Sequence, residues 1–391
     1  MMLLLWLTIL GCAINNAAAQ SGNVRCEAKS SKESGLCIPI RECPYFFDIL
    51  NGGQPTPAQR QQLADSQCGV VNERQALVER ILICCPDSKR SIQGTPARSA
   101  EAQTEAGNVL PSSNGSCGWV FADRIYGGTA TKLDEFPWMA LLQYKKPNNK
   151  FGFHCGGALI NSRYVLTAGH CLANSQVSQL GWQLNSVRLG EWNTSTAPDC
   201  VTELGSGKRT CAPAHLDIEV EQRIIHELYV ADSRDRLHDI ALLRLKRTVS
   251  YTDYVHPICL PLANDMRNRD YEGYAMDIAG WGVTENGTPS SVKLTTTVDV
   301  WELERCQQKY RAYPINLNSS QMCAGGNGKM DTCQGDSGGP LMLRTHEGMQ
   351  EIYFAVGVTS FGPNPCGQQD WPGVYTRVGY FINWIQQKLQ P

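Results

Sequence analysis

The sequence has no Cys-x-x-Cys pair among its 17 cysteines, so the usual ligand spacing of a structural zinc site is missing. It has no excess of charge of either sign. Lys and Arg number 35 against 37 Asp and Glu, for a formal net charge of −2, and the basic residues are scattered rather than striped. That speaks against nucleic acid as the main partner. It has no internal repeat, and beyond the N-terminus no stretch is apolar enough to span a bilayer. The one long apolar run, in MMLLLWLTILGCAINNAAAQ, is too short and wrongly flanked for a membrane span. No Lys or Arg precedes it, yet Ala17-Ala18-Ala19 supplies the small residues a signal peptidase needs. The expectation is a signal peptide over 1–19, cut before Gln20, and a soluble secreted product with no membrane partner.

Cysteine is abundant. Cys12 leaves with the signal and sixteen remain, an even number that outside the cytosol reads as bridges. Six of them, Cys26, Cys37, Cys43, Cys68, Cys84 and Cys85, fall within 26–85, a segment too small to build much core without cross-links. Adjacent Cys84 and Cys85 cannot easily bridge each other, so each must reach back to an earlier cysteine, and spacing leaves the connectivity open. Residues 86–116 lack aromatics and apolar periodicity, which marks a solvated linker. Arg124, just past it, is reachable by another protease. Sequons stand at Asn114, Asn193, Asn286 and Asn318.

From 125 onward short alternating runs broken by Gly and Pro (WMALLQY, YVLTA, IALLRL, YFAVGVTSFG, GVYTRV) read as strands of an all-β barrel or sandwich. The last segment, VGYFINWIQQKLQ, spaces Phe381, Trp384, Ile385 and Leu389 as an amphipathic helix does.

The chemistry concentrates in DTCQGDSGGP, residues 331–340. A Gly-flanked serine alone would also suit a hydrolase elbow at a strand-to-helix turn, with the acid and the histidine following it. Here LTAGHC, with His170, comes first, HDIALLRL, with Asp239, second, and Ser337 last. That is one of the chain orders in which the Ser-His-Asp geometry recurs.

With IYGG, TAGHC, DIALLRL, GWG, GDSGGP, SFG and PGVYTRV in one chain, residues 125–391 resemble chymotrypsin-fold serine proteases throughout, Gly169 standing where the family usually has Ala. The resemblance implies a double β-barrel closed by a C-terminal helix. It also implies that Ser337 is the nucleophile and that His170 takes its proton, as an imidazole titrating near neutrality is able to. Asp239 fixes the imidazole tautomer. The N–H groups of Gly335 and Ser337 form the oxyanion hole, where one donor is worth roughly 3–4 kcal/mol of barrier. Asp331, six residues before the nucleophile, lies at the base of the substrate pocket, with Ser360, Gly362 and Gly373 along its wall, so cleavage follows Arg or Lys. His154, His215, His226, His238, His256 and His346 lie outside the motif and are expected to be ordinary polar or packing residues. Cutting after Arg124 frees the amine of Ile125 to pair with Asp336. Family pairs imply Cys155–Cys171, Cys306–Cys323, Cys333–Cys366 and Cys117–Cys259, leaving Cys200 and Cys211 to each other. Related proteases wrap a structural calcium ion with the loop GEWNTSTAPDC, and Glu191, Asn193, Thr196 and Asp199 would supply its oxygens.

The six-cysteine segment before a linker and a trypsin-like domain resembles arthropod clip-domain proteases. RIYGG, DEFPWMALLQY, VRLGEW, CAPAHLD, YTDYVHPICLPL and TSFGPNPCG carry a likeness to the easter and prophenoloxidase-activating enzyme group. That likeness implies Cys26–Cys84, Cys37–Cys68 and Cys43–Cys85, with 26–85 a docking clip, 86–124 a linker and activation segment, and 125–391 the protease. It implies a zymogen secreted into haemolymph-like fluid, with an upstream activating protease, a serpin inhibitor and a protein substrate. Phenoloxidase activation is the favoured role among those implied; a Toll-ligand precursor or a downstream zymogen is the alternative. A clip-bearing adaptor without activity is the non-enzymatic one.

Overall fold

Gly- and Pro-punctuated apolar runs fold into antiparallel strands throughout. The computed structural model describes residues 24–27, 33–39, 43, 45–46, 57–70, 81–87, 110–111, 117–120, 129–173, 179–202, 207–284, 287–326, 335–347 and 350–390. The chain divides into two units, Met1–Ala97 and Arg98–Pro391.

In the first unit four short antiparallel strands stand in the order Val24–Glu27, Ser34–Pro39, Ile81–Pro86, Gln67–Val70, beside a helix Pro57–Ser66. Their shared core is small: Ile38, Cys43, Phe46, Ile83 and Cys85, with Leu36, Tyr45 and Leu63 against it. Bridges Cys26–Cys84, Cys37–Cys68 and Cys43–Cys85 cross it, so the adjacent cysteines of one strand each reach a different partner. Successive strand residues point to opposite faces, which is how neighbours come to serve two bridges.

The second unit holds two β-systems. Six strands close into a barrel: Leu216–Ile225, Ala241–Leu245, Tyr164–Thr167, Phe151–Leu159, Met139–Lys145 and Gln183–Leu189, the last pairing with the first. Seven more form a sheet ordered Gln321–Ala324, Gly373–Arg377, Gln350–Phe361, Pro340–Glu347, Ala275–Gly280, Leu294–Asp299, Thr129–Ala130. The double barrel implied by sequence is therefore one closed barrel and one half-barrel. The open ends of the second meet through a lone bridge, Val300 to Ala324, flanked by Trp301 N–H to Cys323 O (2.9 Å) and Gly325 N–H to Asp299 O (3.0 Å).

One core joins the two systems. Leu142, Leu166 and Val187 from the barrel belong to the same buried cluster as Met342, Tyr353 and Val358 from the sheet. The strand Met139–Lys145 is consequently buried on both faces through Leu142, which is why its sequence is a continuous apolar run rather than an alternation. At the C-terminus a 3-10 turn, Val378–Phe381, leads into the helix Ile382–Lys388. Phe381, Trp384, Ile385 and Leu389 are all buried there, the face that their spacing predicts. Among the described residues no helix is long and apolar enough to cross a membrane.

Candidate active site

Strand register brings the first two functional groups together. Ala241 pairs with Thr167, so the chain entering one strand at Asp239 runs alongside the chain leaving the other at Gly169–His170. His170 sits in a short 3-10 turn, Gly169–Cys171, anchored by the Cys155–Cys171 bridge to the neighbouring strand. Asp239 has no solvent exposure. Its Oδ1 accepts the His170 backbone N–H at 2.8 Å, and its Oδ2 accepts the ring Nδ1–H at 2.8 Å and the Ser360 hydroxyl. Burial alone would raise this carboxyl's pKa. The His170 charge and the three hydrogen bonds outweigh burial and hold it below the ordinary carboxylate range. An ionised carboxylate only accepts, so Nδ1 must donate, and Nε2 of the neutral ring is left as the base.

The serine comes from the other β-system. Gly335 has φ +106°, and a Cβ there would come 3.1 Å from Gly282 Cα. Gly338 has φ +81°, and a Cβ would press to 2.3 Å from Thr167 Oγ1. Both conformations favour glycine, and at Gly338 only glycine also fits. Between them, Ser337 O accepts the Gly156 N–H at 2.8 Å and lies 3.6 Å from Cys171 Sγ. Gly338 N–H donates to Thr359 O, and Thr359 N–H to Gly339 O, each at 2.9 Å. These bonds pin the nucleophile segment beside the residue that follows His170. Cys155, His170 and Cys171 have the spatial clustering of a metal site. The two sulfurs are bonded to each other, so neither is a thiolate ligand.

Asp336 lies against the Gly280-Trp281-Gly282 segment. Its Oδ1 accepts the Gly282 N–H at 2.9 Å, and a Cβ on either glycine would fall 2.1 Å from a carboxylate oxygen. The GWG motif is thus a cradle for this acid. Gly169, the departure from family usage, is also accounted for: a Cβ there would stand 3.1 Å from the Tyr229 ring and 3.3 Å from Asp239 Oδ1.

Along the substrate side, Ser360 is buried, and a Cβ on Gly362 would meet only Gly373 Cα, at 3.6 Å. The two glycines therefore lie against each other, as neighbours on the wall of the expected pocket would. Asp331, expected at its base, and Arg124 and Ile125 lie outside the described residues.

Bridges Cys117–Cys259, Cys200–Cys211 and Cys306–Cys323 are present. Cys366 is also disulfide-bonded, and Cys333, its expected partner, lies outside the described residues. Of the sequons, Asn114 and Asn286 lie outside them too. Asn318 is exposed, and Asn193 is half-buried with its amide oxygen accepting the Ser195 N–H at 3.1 Å.

The GEWNTSTAPDC loop brings Glu191 and Asp199 together, both buried. Asp199 Oδ2 accepts the Trp192 and Asn193 N–H groups at 3.0 and 2.8 Å, and the Thr196 hydroxyl donates to Oδ1. Burial pushes Glu191 above the ordinary carboxylate range, and the adjoining Asp199 adds to the rise, against the pull of Arg188 and His215. Arg188 Nη1 already pairs with Glu191 Oε2 at 3.1 Å, and a second cation beside the two buried acids would offset their remaining charge. The oxygen donor set suits a hard divalent ion, so these residues fit calcium. The Asn193 amide oxygen accepts the Ser195 N–H and its backbone oxygen the Thr196 N–H at 2.9 Å, so either would share a lone pair with an ion.

The other histidines behave as packing or surface groups. His226 and His238 stack at 4.9 Å, and His154 meets Tyr144 and Trp182 edge-on. Burial lowers the pKa of all three. His256 is lowered likewise and packs on Tyr251. His215 lies beside Glu191, and exposed His346 beside Glu351. Sequence reading missed Lys293, which is buried with its Nζ 5.8 Å from the Trp281 ring centre. Burial draws its pKa down to about 8, against the charges of Glu135, Asp134, Glu191 and Asp199. Nothing local marks a lysine for the interior, because the acids near it come from distant parts of the chain.

Comparison with known proteins gives the following. The family model described as Trypsin matches residues 125–385, and the Regulatory CLIP domain of proteinases matches 26–85. The Spaetzle-processing enzyme of Drosophila melanogaster is 53% identical over 384 residues, covering 97% of this chain and 95% of that one. Melanization protease 1 of the same fly is 41% identical, covering 99% and 98%. The crystal structure of the Drosophila Grass clip serine protease of the Toll pathway superposes with a TM-score of 0.61. It is 32% identical and covers 94% of this chain and 97% of that one.

Proposed function

The chain belongs to the trypsin-like serine proteases that carry a CLIP domain, and on that premise we propose that it is a secreted zymogen, switched on by cleavage after Arg124. Once cut, it hydrolyses a protein precursor after Arg or Lys, with Ser337 as nucleophile, His170 as base and Asp239 as the group that orients the base. The observation that carries this chemistry is the buried Asp239–His170 pair, because a carboxylate that accepts from Nδ1–H sets the tautomer in which Nε2 carries the lone pair, in the residue next to Cys171, against which the Ser337 segment is pinned. Proton transfer to such a base makes the serine a nucleophile, and Gly335 and Ser337 N–H groups take the developing oxyanion. Gly362 and Gly373, small on the pocket wall, would leave space for a long side chain, whose charge Asp331 would meet.

The substrate we infer is a Spaetzle-like precursor of a cytokine-like ligand, supported by the 53% identity, over nearly both whole chains, to an enzyme named for processing Spaetzle. Melanisation is the second reading, supported by the 41% identity to Melanization protease 1. Incubating the activated protease separately with a purified Spaetzle-like precursor and with prophenoloxidase distinguishes them. The expected result is one defined cut after a basic residue in the former. Cleavage of prophenoloxidase alone would move the protein to the second role.

We further propose that Glu191, Asp199 and side-chain or backbone oxygens of Asn193 and Thr196 hold calcium. Bound ion would offset the charge that remains on the two buried carboxylates. The expected result is a higher melting temperature in Ca2+ than in EDTA, since ligand at a hundred times its dissociation constant adds about 2.7 kcal/mol. Equal melting temperatures would remove the ion.

A further inference from the structure

The loop that delivers Asp239 carries a guanidinium to the Ser360–Phe361 segment. Arg236 lies three residues before Asp239, half-buried, with φ +44°, a left-handed conformation that arginine rarely adopts. His238 beside it is also left-handed, at φ +59°. A non-glycine backbone held this way marks a segment fixed by its surroundings. The contacts that fix Arg236 are specific. Its Nη1 donates to Ser360 O at 2.8 Å, and its Cζ lies 5.7 Å from the centre of the Phe361 ring. Ser360 is the residue whose hydroxyl reaches Asp239, and two positions on stands Gly362, on the wall of the expected pocket.

Both partners of this cation are uncharged. Among the described residues Arg236 enters no ion pair. The acid next to it, Asp235, is turned to the Asn316 N–H at 2.7 Å. A half-buried guanidinium beside the reacting groups, held only by a carbonyl and a ring, is a charge waiting for an anion. Ser360 falls in the register shift between Thr359 and Phe361, so its carbonyl lies outside the strand ladder, an acceptor of the kind an extended peptide uses when it adds to a strand. A chain whose basic residue fills the pocket lays its preceding residues along Ser360–Gly362, at about 3.3 Å per residue. It then takes over the acceptor that Arg236 now occupies, and a carboxylate on the same chain can receive the guanidinium through charge-assisted, bidentate bonds.

We propose that Arg236 is a specificity-determining residue that selects substrates with an acidic side chain within about four positions before the scissile bond. This rests on the reading that the pocket walled by Gly362 and Gly373 takes the basic residue. The aromatic group beyond Phe361 (Tyr310 at 5.6 Å from it, then Trp371 on Tyr310) continues the same surface away from the dyad and carries no counter-charge of its own.

The test is a set of fluorogenic peptides ending in an Arg amide, with Glu, Gln or Lys at each of the three positions before that Arg, plus the unextended Arg amide. Each is assayed with the activated full-length wild type, Arg236→Gln and Arg236→Glu. The readout is the ratio of kcat/KM for Glu over Lys peptides, which is insensitive to any general loss of activity or fold. At the best position the ratio in the wild type is expected to be about tenfold or more, to fall towards one in Arg236→Gln, and to invert in Arg236→Glu. A wild-type ratio near one while the Arg amide is cleaved overturns the selectivity and leaves the protease reading standing. So does a Glu preference that survives charge reversal. Failure of the wild type to cleave the unextended Arg amide overturns the reading of the pocket, and this proposal with it.

Discussion

Ser337→Ala, in the chain already cut after Arg124, is expected to slow hydrolysis of an Arg amide by about 10⁶-fold in kcat, the scale seen when the nucleophile of such a triad is removed. The hydroxyl serves only if the base beside it is oriented, and Asp239 does that through two bonds of 2.8 Å to the His170 residue. The three groups therefore act as one device. Ser337→Ala with His170→Ala should be scarcely worse than either change alone, and a residual rate about 10³–10⁴-fold above water should persist from the oxyanion hole and binding. The melting temperature is expected to hold, because the Ser337 segment is fixed by backbone bonds, Gly156 N–H to Ser337 O and Gly338 N–H to Thr359 O, rather than by core packing of the side chain. Burst kinetics with an active-site ester check the result: no acyl-enzyme should accumulate. Unchanged turnover in Ser337→Ala would remove the serine-protease mechanism altogether.

How much of this was legible beforehand depended on whether the signal was local. His170, Asp239 and Ser337 each sit in a motif a few residues long, so the motifs and their chain order nominated them. The C-terminal helix was legible because Phe381, Trp384 and Ile385 repeat at helical spacing. What the sequence could not show was set by contacts between distant segments. The second barrel stays half-open because its closing strands share a single bridge at Val300 and Ala324, a matter of register that no local pattern encodes. GWG was recognisable as a motif, but its purpose, clearing space for Asp336, is visible only once Gly280 and Gly282 are seen against that carboxylate. Gly169 reads as a neutral swap until the Tyr229 ring is found where a methyl group would go. Arg236 has the same history: a loop arginine in an acid- and base-rich stretch becomes notable only when its partner proves to be Ser360 O.

Arg124→Gln should yield a precursor of normal size and stability that never gains activity when exposed to its activating protease. The cause is electrostatic. In the uncut chain Asp336 is half-buried, held by the Gly282 N–H in a cradle too tight for any residue but glycine. Scission makes the Ile125 amine, whose ordinary pKa near 8 leaves it largely protonated at neutral pH. On the proposed activation, pairing with Asp336 would neutralise the carboxylate next to Gly335 and Ser337, the residues whose N–H groups would form the oxyanion hole. A buried pair that loses one partner costs about 3–5 kcal/mol, and at 1.36 kcal/mol per tenfold this is a rate deficit of about 10²–10⁴ in a chain that does not form the Ile125–Asp336 pair. Asp336→Asn should reproduce that deficit in a chain that has been cut normally, which separates loss of the pair from failure of the cut. A full rate in uncut Arg124→Gln would mean that the oxyanion hole assembles without the new terminus.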